Sequence, residues 1–422
     1  MIETGIIGAG AAGLMAAYAA AGDETKVTVI ERNNEPLKKL CLTGNGRCNF
    51  SNADLSGKFF NFGENHPFSK ILEEYDSNWL ENLFKENGML SINKDGLKYP
   101  RSEKALTVKD TLLKMVKEKN VEFLLSQKVT AIEKVTAIEK VTTTEKVTAI
   151  EKETATEKGE RFKVIFEDGK EKEFDRIIIT TGGKAYPATG SDGAGFRLAR
   201  ALGHKVTFTY PHLTRLFTEE KDVLSLSGVR FKVKVSGSVN GNKTESESGE
   251  IQFTDKGLSG ICIFNLSRFL SKPLEDGVEC KIIIDFLPEY GEKELSDYLK
   301  TQLEKRTYKE TLEGMLGGDI ASLIQKRVYK HTDKNDISKI TEESVRQIKG
   351  LEVTISGHDS FSNAQVTGGG VDIAEIGENM ESKICKGLFF AGEVMDVDGK
   401  CGGYNLHWAF ASGFVAGVSA SK

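Results

Sequence analysis

The sequence predicts an α/β protein whose first domain is interrupted by a β-rich and helical insert. A glycine-rich turn, Gly8-Ala9-Gly10-Ala11-Ala12-Gly13, follows the first apolar run. Glycines and apolar runs resume from Ala364, whereas residues 191 to about 355 carry alternating and charged segments instead. These three observations indicate a chain that leaves an open α/β sheet and later returns to it.

The N-terminal segment has the order of elements that a dinucleotide requires. Residues 2–7 predict a strand, 14–21 a helix, and Val27-Thr28-Val29-Ile30 a second strand ending in Glu31. Glycines let the backbone approach a pyrophosphate, and the helix N-terminus attracts its charge. Glu31 would accept ribose hydroxyls and repel a 2′-phosphate, although a solvated strand-end acid is the alternative. We therefore predict a Rossmann-like domain that binds FAD or NAD.

Length and charge limit the classes of function. The chain has 422 residues and a net charge of −5, with Lys and Arg dispersed instead of clustered. This length allows two or three domains, so most of the chain should serve a substrate. The acidic balance argues against a nucleic acid or an anionic membrane as partner. A small molecule is the expected partner.

The cysteines predict neither a disulfide framework nor a metal site. No CxxC pair and no Cys/His cluster at metal spacing occurs among Cys41, Cys48, Cys262, Cys280, Cys385 and Cys401. A reducing cytoplasm fits this usage of cysteine best.

Residues 404–420 lack charged side chains, but Asn405, His407 and Ser412 interrupt a segment that is short for a bilayer. A buried helix with a Gly413-Gly417 packing motif is expected instead.

Residues 129–158 form a tandem hexapeptide repeat, VTAIEK and its variants. An even period keeps the faces of a strand in register, whereas apolar residues three apart drift around a helix. We therefore expect an elongated β-hairpin or a sheet-edge extension. The alternative is a duplicated, partly mobile surface insertion without a chemical role.

The domain boundaries follow from the remaining patterns. Strands are expected at 161–166 and 174–180, the second running into Thr181-Gly182-Gly183, and the insert should carry strands near 229–239 and 281–286 before a charged helical block at 293–349. The predicted division is a nucleotide-binding domain in two parts, 1–190 and 356–422, around an insert at 191–355.

Two C-terminal motifs suggest the flavin half of a site. Phe389-Phe390-Ala391-Gly392-Glu393 predicts a buried strand that delivers a carboxylate to a loop, where it could bond ribityl hydroxyls. Gly402-Gly403-Tyr404-Asn405 leads into an apolar helix, with Asn405 as its expected N-cap. The positive helix end would stabilise a reduced flavin. A glycine turn and a capped core helix are the alternative.

Several motifs together resemble one family. They are Thr43-Gly44-Asn45-Gly46-Arg47-Cys48-Asn49, Val366 to Val371, Met380-Glu381-Ser382-Lys383, Gly392 to Gly399, Tyr186-Pro187-Ala188-Thr189-Gly190-Ser191, and Phe253 to Gly260. They resemble the HI0933-like flavoproteins, a bacterial family that includes aminoacetone oxidases. Only the hexapeptide repeat falls clearly outside the match. The resemblance implies an FAD-dependent oxidoreductase of the two-dinucleotide-binding-domain type, with the insert covering the isoalloxazine.

The resemblance also implies contacts with FAD by position. The ADP half would lie against Gly8, Gly10, Gly13, Glu31 and Arg32. The flavin half would lie along Lys39, Gly44, Gly392, Glu393, Gly403, Asn405 and Leu406. Further contacts with FAD are implied for Ala12, Arg47, Cys48, Asn49, Val129, Thr181, Gly182 and Gly183.

Five side chains are candidates for chemistry, stacking or binding, and the first four have a structural alternative. The resemblance implies glutamine at the position of His407, and the histidine could act as acid or base, or be structural. Tyr186 is the second catalytic candidate, and it or Trp408 could stack on a ring or belong to the core. Cys48 beside Arg47 could be a stabilised thiolate or could pack in the interior. Arg47 could bind a carboxylate or a flavin phosphate.

No second nucleotide module is expected. Gly190-Ser191-Asp192-Gly193-Ala194-Gly195 does not fit GxGxxG, because Leu198 occupies the third glycine position. NADH or NADPH would then dock transiently over the flavin, or O2 would accept electrons.

We expect a cytoplasmic FAD-dependent oxidoreductase that moves a hydride between flavin N5 and a small organic substrate. Oxidation of an amine and NAD(P)H-dependent reduction of an unsaturated ketone both fit. A flavin-dependent tRNA-modifying factor, which the acidic balance disfavours, and a flavin sensor without turnover are the alternatives. The sequence does not predict the oligomeric state.

Overall fold

The computed structural model describes residues 1–143 and 152–422, with side chains outside 136–159. The chain folds as two compact units, one formed by Met1–Thr209 with Val366–Lys422 and the other by Tyr210–Gln365. Both boundaries lie later in the chain than the predicted 190/191 and 355/356. Residues after Gly190, including a helix at Ala194–Ala201, belong to the first unit because Gly195 packs against Thr181.

The strands of the described ranges, in chain order, are β1 Ile2–Ile7, β2 Thr25–Ile30, β3 Ser51–Asn52, β4 Ser91–Lys94, β5 Leu97–Pro100, β6 Glu122–Leu124, β7 Val129–Thr143, β8 Lys152–Phe166, β9 Glu171–Phe174, β10 Arg176–Ile179, β11 Tyr210–His212, β12 Leu216–Phe217, β13 Arg230–Val239, β14 Asn242–Phe253, β15 Gly257–Ser259, β16 Cys280–Asp285, β17 Leu351–Ile355, β18 Gly357–His358, β19 Val366–Gly368 and β20 Leu388–Phe390.

The helices of the same ranges are α1 Ala11–Ala20, α2 Thr43–Gly46, α3 Ser69–Glu74, α4 Ser77–Glu86, α5 Ala105–Lys117, α6 Ala194–Ala201, α7 Lys221–Leu224, α8 Ile261–Glu275, α9 Glu292–Leu303, α10 Tyr308–Leu316, α11 Gly318–His331, α12 Ile337–Gly350 and α13 Tyr404–Ala420.

A five-stranded parallel sheet forms the centre of the first unit, in the order β20-β10-β1-β2-β6. Ile6 in β1 lies between Ile178 of β10 and Val29 of β2, and all three are buried. Continuous apolar runs such as Ile177–Ile179 are typical of strands covered on both faces. Strands from both ends of the chain therefore build one Rossmann-like sheet, as the sequence predicts. Their carboxyl ends meet at one edge.

Helices α1 and α13 pack closely in this unit. A Cβ on Gly413 would lie 2.4 Å from the carbonyl oxygen of Ala12, and one on Gly417 would lie 2.4 Å from that of Ala16. The Gly413-Gly417 motif therefore serves packing inside the protein. Within the described ranges, no helix is both long enough and apolar enough to cross a bilayer.

Two antiparallel strands contain the described part of the hexapeptide repeat. β7 pairs with β8 from Val129 opposite Phe166 to Thr143 opposite Lys152, and β9 extends this sheet. The predicted strand pairing is confirmed. The expected hairpin turn, at residues 144–151, lies outside the described residues.

The second unit has its own core. Its sheet is antiparallel, in the order β17-β16-β13-β14-β15-β12-β18, and α8 and α12 pack against it. The strands expected near 229–239 and 281–286 are β13 and β16, and the charged block at 293–349 forms α9 to α12.

Candidate active site

The glycine-rich turn after β1 combines close packing with open space. A Cβ on Gly13 would lie 1.9 Å from the carbonyl oxygen of Gly8, so only glycine fits where α1 crosses the turn. Gly8 has a φ of 106°, and a Cβ there would lie 2.6 Å from the Thr180 carbonyl oxygen. A Cβ on Gly10, in contrast, would have no atom within 4 Å. Gly10 caps α1 without a side-chain bond, leaving room for a phosphate at the helix N-terminus.

The carboxylate of Glu31 is buried and largely satisfied by the protein. Its Oε2 accepts a hydrogen bond of 2.8 Å from Ala9 N, and its Oε1 accepts two of 2.8 Å from the backbone N and Nδ2 of Asn33. Two carboxylate oxygens offer about four lone-pair sites, so one on Oε2 remains for a ribose hydroxyl. Asn33, which sequence reasoning missed, also donates to Thr189 O at 3.0 Å.

Arg32 is held by the loop after β10. Its Nη1 lies 2.6 Å from Asp192 Oδ2 and donates to Gly190 O at 3.3 Å. Burial alone would raise the pKa of Asp192, but the hydrogen bond and charge of Arg32 hold that pKa below its ordinary value. Val129 is buried at the start of β7, two residues after Gln127, whose N donates to Glu31 O at 2.9 Å. Arg32 and Val129 therefore flank the Glu31 segment.

An ion pair joins the distant residues Lys39 and Glu393. Lys39 Nζ lies 2.6 Å from Glu393 Oε2, and both side chains are about three-quarters buried or more. Glu393 Oε1 accepts a 2.9 Å hydrogen bond from Thr367 N. The preceding Gly392 donates its N–H to Ser412 Oγ of α13 at 3.0 Å. The carboxylate expected to face ribityl hydroxyls is thus fixed from three parts of the chain.

The loop around α2 does not support a thiolate at Cys48. Gly44 and Asn45 both have left-handed backbone angles, with φ values of 57° and 54°. Arg47 is exposed, with its guanidinium carbon 5.6 Å from the centre of the Tyr99 ring. Cys48 is fully buried, and burial raises the pKa of its thiol to about 12. Cys48 therefore fits the packing alternative and not the stabilised thiolate, because burial in the core disfavours the charged form of its thiol.

The N-terminus of α13 has a different cap from the one predicted. The helix begins at Tyr404, and its N-cap is Gly403, with a φ of 92°. A Cβ on Gly403 would lie 2.4 Å from Ser51 O, so a side-chain cap cannot stand there. Asn405 instead accepts from Gly399 N at 2.8 Å and donates to Gly399 O at 2.9 Å. The N-cap prediction for Asn405 is wrong, and the half-buried Leu406 follows it in the first turn.

His407 lies in the core, with both ring nitrogens engaged. Its Nδ1 is 2.9 Å from Ser51 Oγ, and its Nε2 is 2.7 Å from Tyr75 O. A carbonyl can only accept, so Nε2 carries the proton and Nδ1 accepts from the serine. Burial lowers the pKa of His407 to about 4. These contacts favour the structural alternative, in which a neutral imidazole ties α13 to β3.

The loop after β10 carries Tyr186. This residue is half-buried and has φ and ψ of 57° and 59°, a left-handed conformation that is unusual for an aromatic residue. Its carbonyl accepts from Thr189 N at 2.9 Å and from Thr189 Oγ1 at 2.7 Å. Trp408, in contrast, is 1% exposed and packs against Phe62 and Phe68 in the core. The core alternative holds for Trp408.

The two helix N-termini that could face a cofactor lie on the same side of the sheet. Gly413 and Gly417 approach Ala12 and Ala16 in the same order along the chain, so α13 and α1 run parallel. From this register and a rise of 1.5 Å per residue, the N-terminus of α13 extends roughly 12 Å beyond that of α1. One helix end is therefore available for phosphate, and the other lies farther out along the direction of the helix axes.

These residues fit FAD. The open space beside Gly10 suits a pyrophosphate, and Asn49 Oδ1, next to Gly403, is buried without a hydrogen-bond partner in the described part of the chain. Glu31 and Thr181–Gly183 would hold the ADP half, and Lys39, Asn49, Glu393 and the start of α13 the flavin half. Across residues 1–143 and 152–422, no group of three or more His, Cys, Asp or Glu residues is arranged to hold a metal ion.

The chain is similar to proteins of known activity over its whole length. Residues 2–419 match the model of the family described as HI0933-like protein Rossmann domain. The chain is 33% identical to 3-dehydro-bile acid delta(4,6)-reductase of Clostridium scindens, over 100% of both chains. It is 28% identical to ribosomal RNA dihydrouridine synthase of Haemophilus influenzae, over 100% of this chain and 98% of that one. A 3-ketosteroid-delta4-(5alpha)-dehydrogenase structure from Rhodococcus jostii RHA1 has a TM-score of 0.46 and 15% identity, covering 100% of this chain and 97% of that one.

Proposed function

The chain belongs to the HI0933-like family of FAD-dependent oxidoreductases, and from that premise we propose that it reduces a carbon–carbon double bond conjugated with a carbonyl group in a small organic substrate. The observation that carries this proposal is the full-length, 33% identity with a reductase whose name describes such a bond. Reduction is therefore favoured over oxidation of an amine.

The chain's own residues would bind and orient the cofactor. When bound, FAD supplies hydride through N5 of its ring system. The N-terminus of α1, beside Gly10, attracts the pyrophosphate, and the free lone pair of Glu31 accepts a ribose hydroxyl. The N-terminus of α13 would stabilise negative charge at the pyrimidine edge. Lys39 keeps the carboxylate of Glu393 in one position for the ribityl chain.

Reduction of a conjugated double bond also needs a proton. The hydride adds to the β-carbon and a proton adds to the α-carbon, which gives the saturated carbonyl compound. We assign proton donation to Tyr186, whose hydroxyl has no hydrogen-bond partner among residues 1–143 and 152–422. His407 is less suitable, because its ring is buried and both nitrogens are already bonded. Backbone strain at Tyr186 is typical of functional positions.

NADH or NADPH is the proposed electron donor, docking transiently over the flavin. The test is anaerobic mixing of the FAD-loaded protein with each nucleotide, followed by addition of a 3-oxo steroid with 4,6-unsaturation. Bleaching of the visible flavin absorbance and its return on adding the steroid, with formation of saturated product, support the proposal. Bleaching by an amine and return only with O2 would overturn it in favour of the oxidase.

Tyr186→Phe tests the proton donor separately. We expect flavin bleaching by the nucleotide at the wild-type rate, while reduction of the steroid falls on the order of 100-fold. Wild-type turnover by the phenylalanine variant would exclude Tyr186 as the donor and leave the reductase proposal intact.

A second candidate function is reduction of uridine in RNA, favoured by the relative named ribosomal RNA dihydrouridine synthase. The double bond of uracil is also conjugated with a carbonyl, so the chemistry is the same and the substrate differs. The net charge of −5 disfavours an RNA surface. Salt-sensitive binding of ribosomal RNA and appearance of dihydrouridine, with no turnover of free steroids, would select this candidate instead.

A further inference from the structure

The hydroxyl of Thr367 lies where the loop after β10 meets the Glu393 carboxylate. Its Oγ1 accepts hydrogen bonds from Lys184 N at 2.7 Å and from Ala185 N at 3.0 Å. The backbone N of the same residue donates to Glu393 Oε1 at 2.9 Å. Thr367 is 1% exposed. One residue therefore bonds the loop that leads to Tyr186 through its side chain and the flavin-side carboxylate through its backbone.

Packing leaves this loop little freedom around the hydroxyl. A Cβ on Gly183 would lie 2.3 Å from Thr367 Oγ1 and 3.1 Å from Glu393 Oε1. A Cβ on Gly195, at the start of α6, would lie 1.9 Å from Thr181 Oγ1. The loop is thus held between α6 on one side and Thr367 on the other. A small displacement of the Thr367 hydroxyl would therefore also displace Lys184, Ala185 and the next residue, Tyr186.

We propose that Thr367 is a positioning residue, whose hydroxyl fixes the loop from Gly183 to Tyr186 against Glu393 and so sets the geometry of both the flavin side and the proton donor. The part that concerns the proton donor rests on the proposed function. The part that concerns the flavin needs only FAD binding. Thr367 itself takes no part in bond making.

Loss of the hydroxyl would remove the acceptor of the buried Ala185 N–H and of the partly buried Lys184 N–H. Valine has nearly the shape of threonine, so Thr367→Val removes the acceptor and keeps the volume, whereas Thr367→Ser keeps the acceptor and removes a methyl group. The freed N–H groups would seek other acceptors, and the carboxylate of Glu393 is adjacent. The loop and the carboxylate would then both move relative to a bound flavin.

Thr341→Val provides a matched control. Thr341 is also 1% exposed, and its Oγ1 bonds Ile337 O at 2.8 Å in α12 of the second unit. The same substitution there removes a buried hydroxyl bond without touching the loop or Glu393. Any effect common to both valine variants reflects stability alone.

The experiment compares these variants as FAD-loaded proteins. We expect Thr367→Val to shift the visible flavin spectrum and the reduction potential of FAD, and to lower kcat on the order of 10 to 100-fold with less change in KM. Thr367→Ser should restore the spectrum, the potential and most of kcat, and Thr341→Val should match the wild type in all of them. Thr367→Ala, which is smaller, provides the same comparison if the valine variant does not fold.

Two outcomes would overturn the inference. One is a wild-type flavin spectrum and reduction potential in Thr367→Val and Thr367→Ala. The other is equal shifts of the spectrum and potential in Thr367→Ser and Thr367→Val. Failure of the proposed function is recognised separately. In that case, the wild type turns over no conjugated carbonyl substrate, while Thr367→Val still shifts the flavin spectrum and the serine variant restores it.

Discussion

The two ends of the candidate FAD site are built in different ways. The central part of the nucleotide end, Gly8–Gly13 and Glu31–Asn33, comes from one continuous segment in which Glu31 bonds Ala9 and Asn33, and the loop after β10 adds contacts at Gly8 and Asn33. The flavin end, formed by Lys39, Thr367, Glu393 and Gly403, joins residues more than 300 positions apart. A local motif can therefore reveal the first end, whereas only the tertiary fold assembles the second.

The largest expected effects come from two glycines of the nucleotide end that look alike in sequence. Gly13→Ala forces a Cβ to within 1.9 Å of a backbone oxygen, so we expect a loss of at least about 3 kcal/mol in the free energy of unfolding. Gly10→Ala meets no protein atom within 4 Å and has ordinary backbone angles. It should unfold like the wild type but bind FAD at least about 10-fold more weakly.

Urea unfolding of the FAD-free proteins and titration with FAD distinguish the two glycine variants. Equal stability losses at both positions would mean that the open space beside Gly10 is not reserved for a ligand. Tight FAD binding by Gly10→Ala would mean that the pyrophosphate does not lie beside Gly10, and would contradict the assignment of the nucleotide end.

The same contrast explains how much the sequence could predict. β1, β2 and Glu31 follow from apolar runs and glycine spacing, because the physical demands on them are local. The N-cap prediction for α13 is wrong, since the approach of Ser51 O to Gly403 depends on a strand near the other end of the chain. Thr367 lies in the Val366 to Val371 motif, but that motif does not predict its contacts, because its hydroxyl bonds Lys184 and Ala185 across the fold.

The second prediction concerns pH and the His407 contact near the flavin end. The folded pKa of about 4 lies below the ordinary value of 6.5, so the unfolded chain binds the proton more readily. The stability contribution is complete above about pH 6.5 and is lost as pH falls towards 4, by about 3 kcal/mol in total. His407→Gln, which has no titrating group, should reduce the pH dependence of unfolding across this window.

Chemical unfolding at about pH 5 and about pH 7.5 measures the difference for each protein. The histidine protein should lose about 2 kcal/mol more than the glutamine variant between these conditions. Parallel pH profiles would show that His407 does not remain neutral in the folded protein.

The third prediction weakens the long-range ion pair of the flavin end. Lys39→Met keeps the length of the side chain and removes the charge that lies 2.6 Å from Glu393 Oε2. We expect a loss of about 2 kcal/mol in unfolding free energy and weaker FAD binding. Lys109→Met is the matched control, because Lys109 pairs at 3.0 Å with Glu35, whose side chain is 53% exposed.

Calorimetric unfolding with and without FAD measures the effects of both methionine variants. Only Lys39→Met should reduce the stabilisation that FAD provides. If both variants lose the same amount, the Lys39–Glu393 pair acts on the fold alone and does not position the flavin end.

The smallest expected effect concerns the nucleotide end and tests whether substitutions there affect only the ADP half of FAD. Asn33→Ala removes the Nδ2 bonds to Glu31 Oε1 and Thr189 O, but the backbone N of residue 33 still bonds the same carboxylate oxygen. We therefore expect a loss of only about 1 kcal/mol and a few-fold weaker binding of FAD. Asn34→Ala, one residue farther along the chain, is a control without these bonds.

Isothermal titration with ADP and with FAD separates the two ends. Asn33→Ala should weaken the binding of both ligands equally, because Asn33 lies beside the ADP half that they share. A larger effect on FAD than on ADP would mean that the Thr189 contact reaches the loop of Tyr186, and that the nucleotide end is coupled to the flavin end.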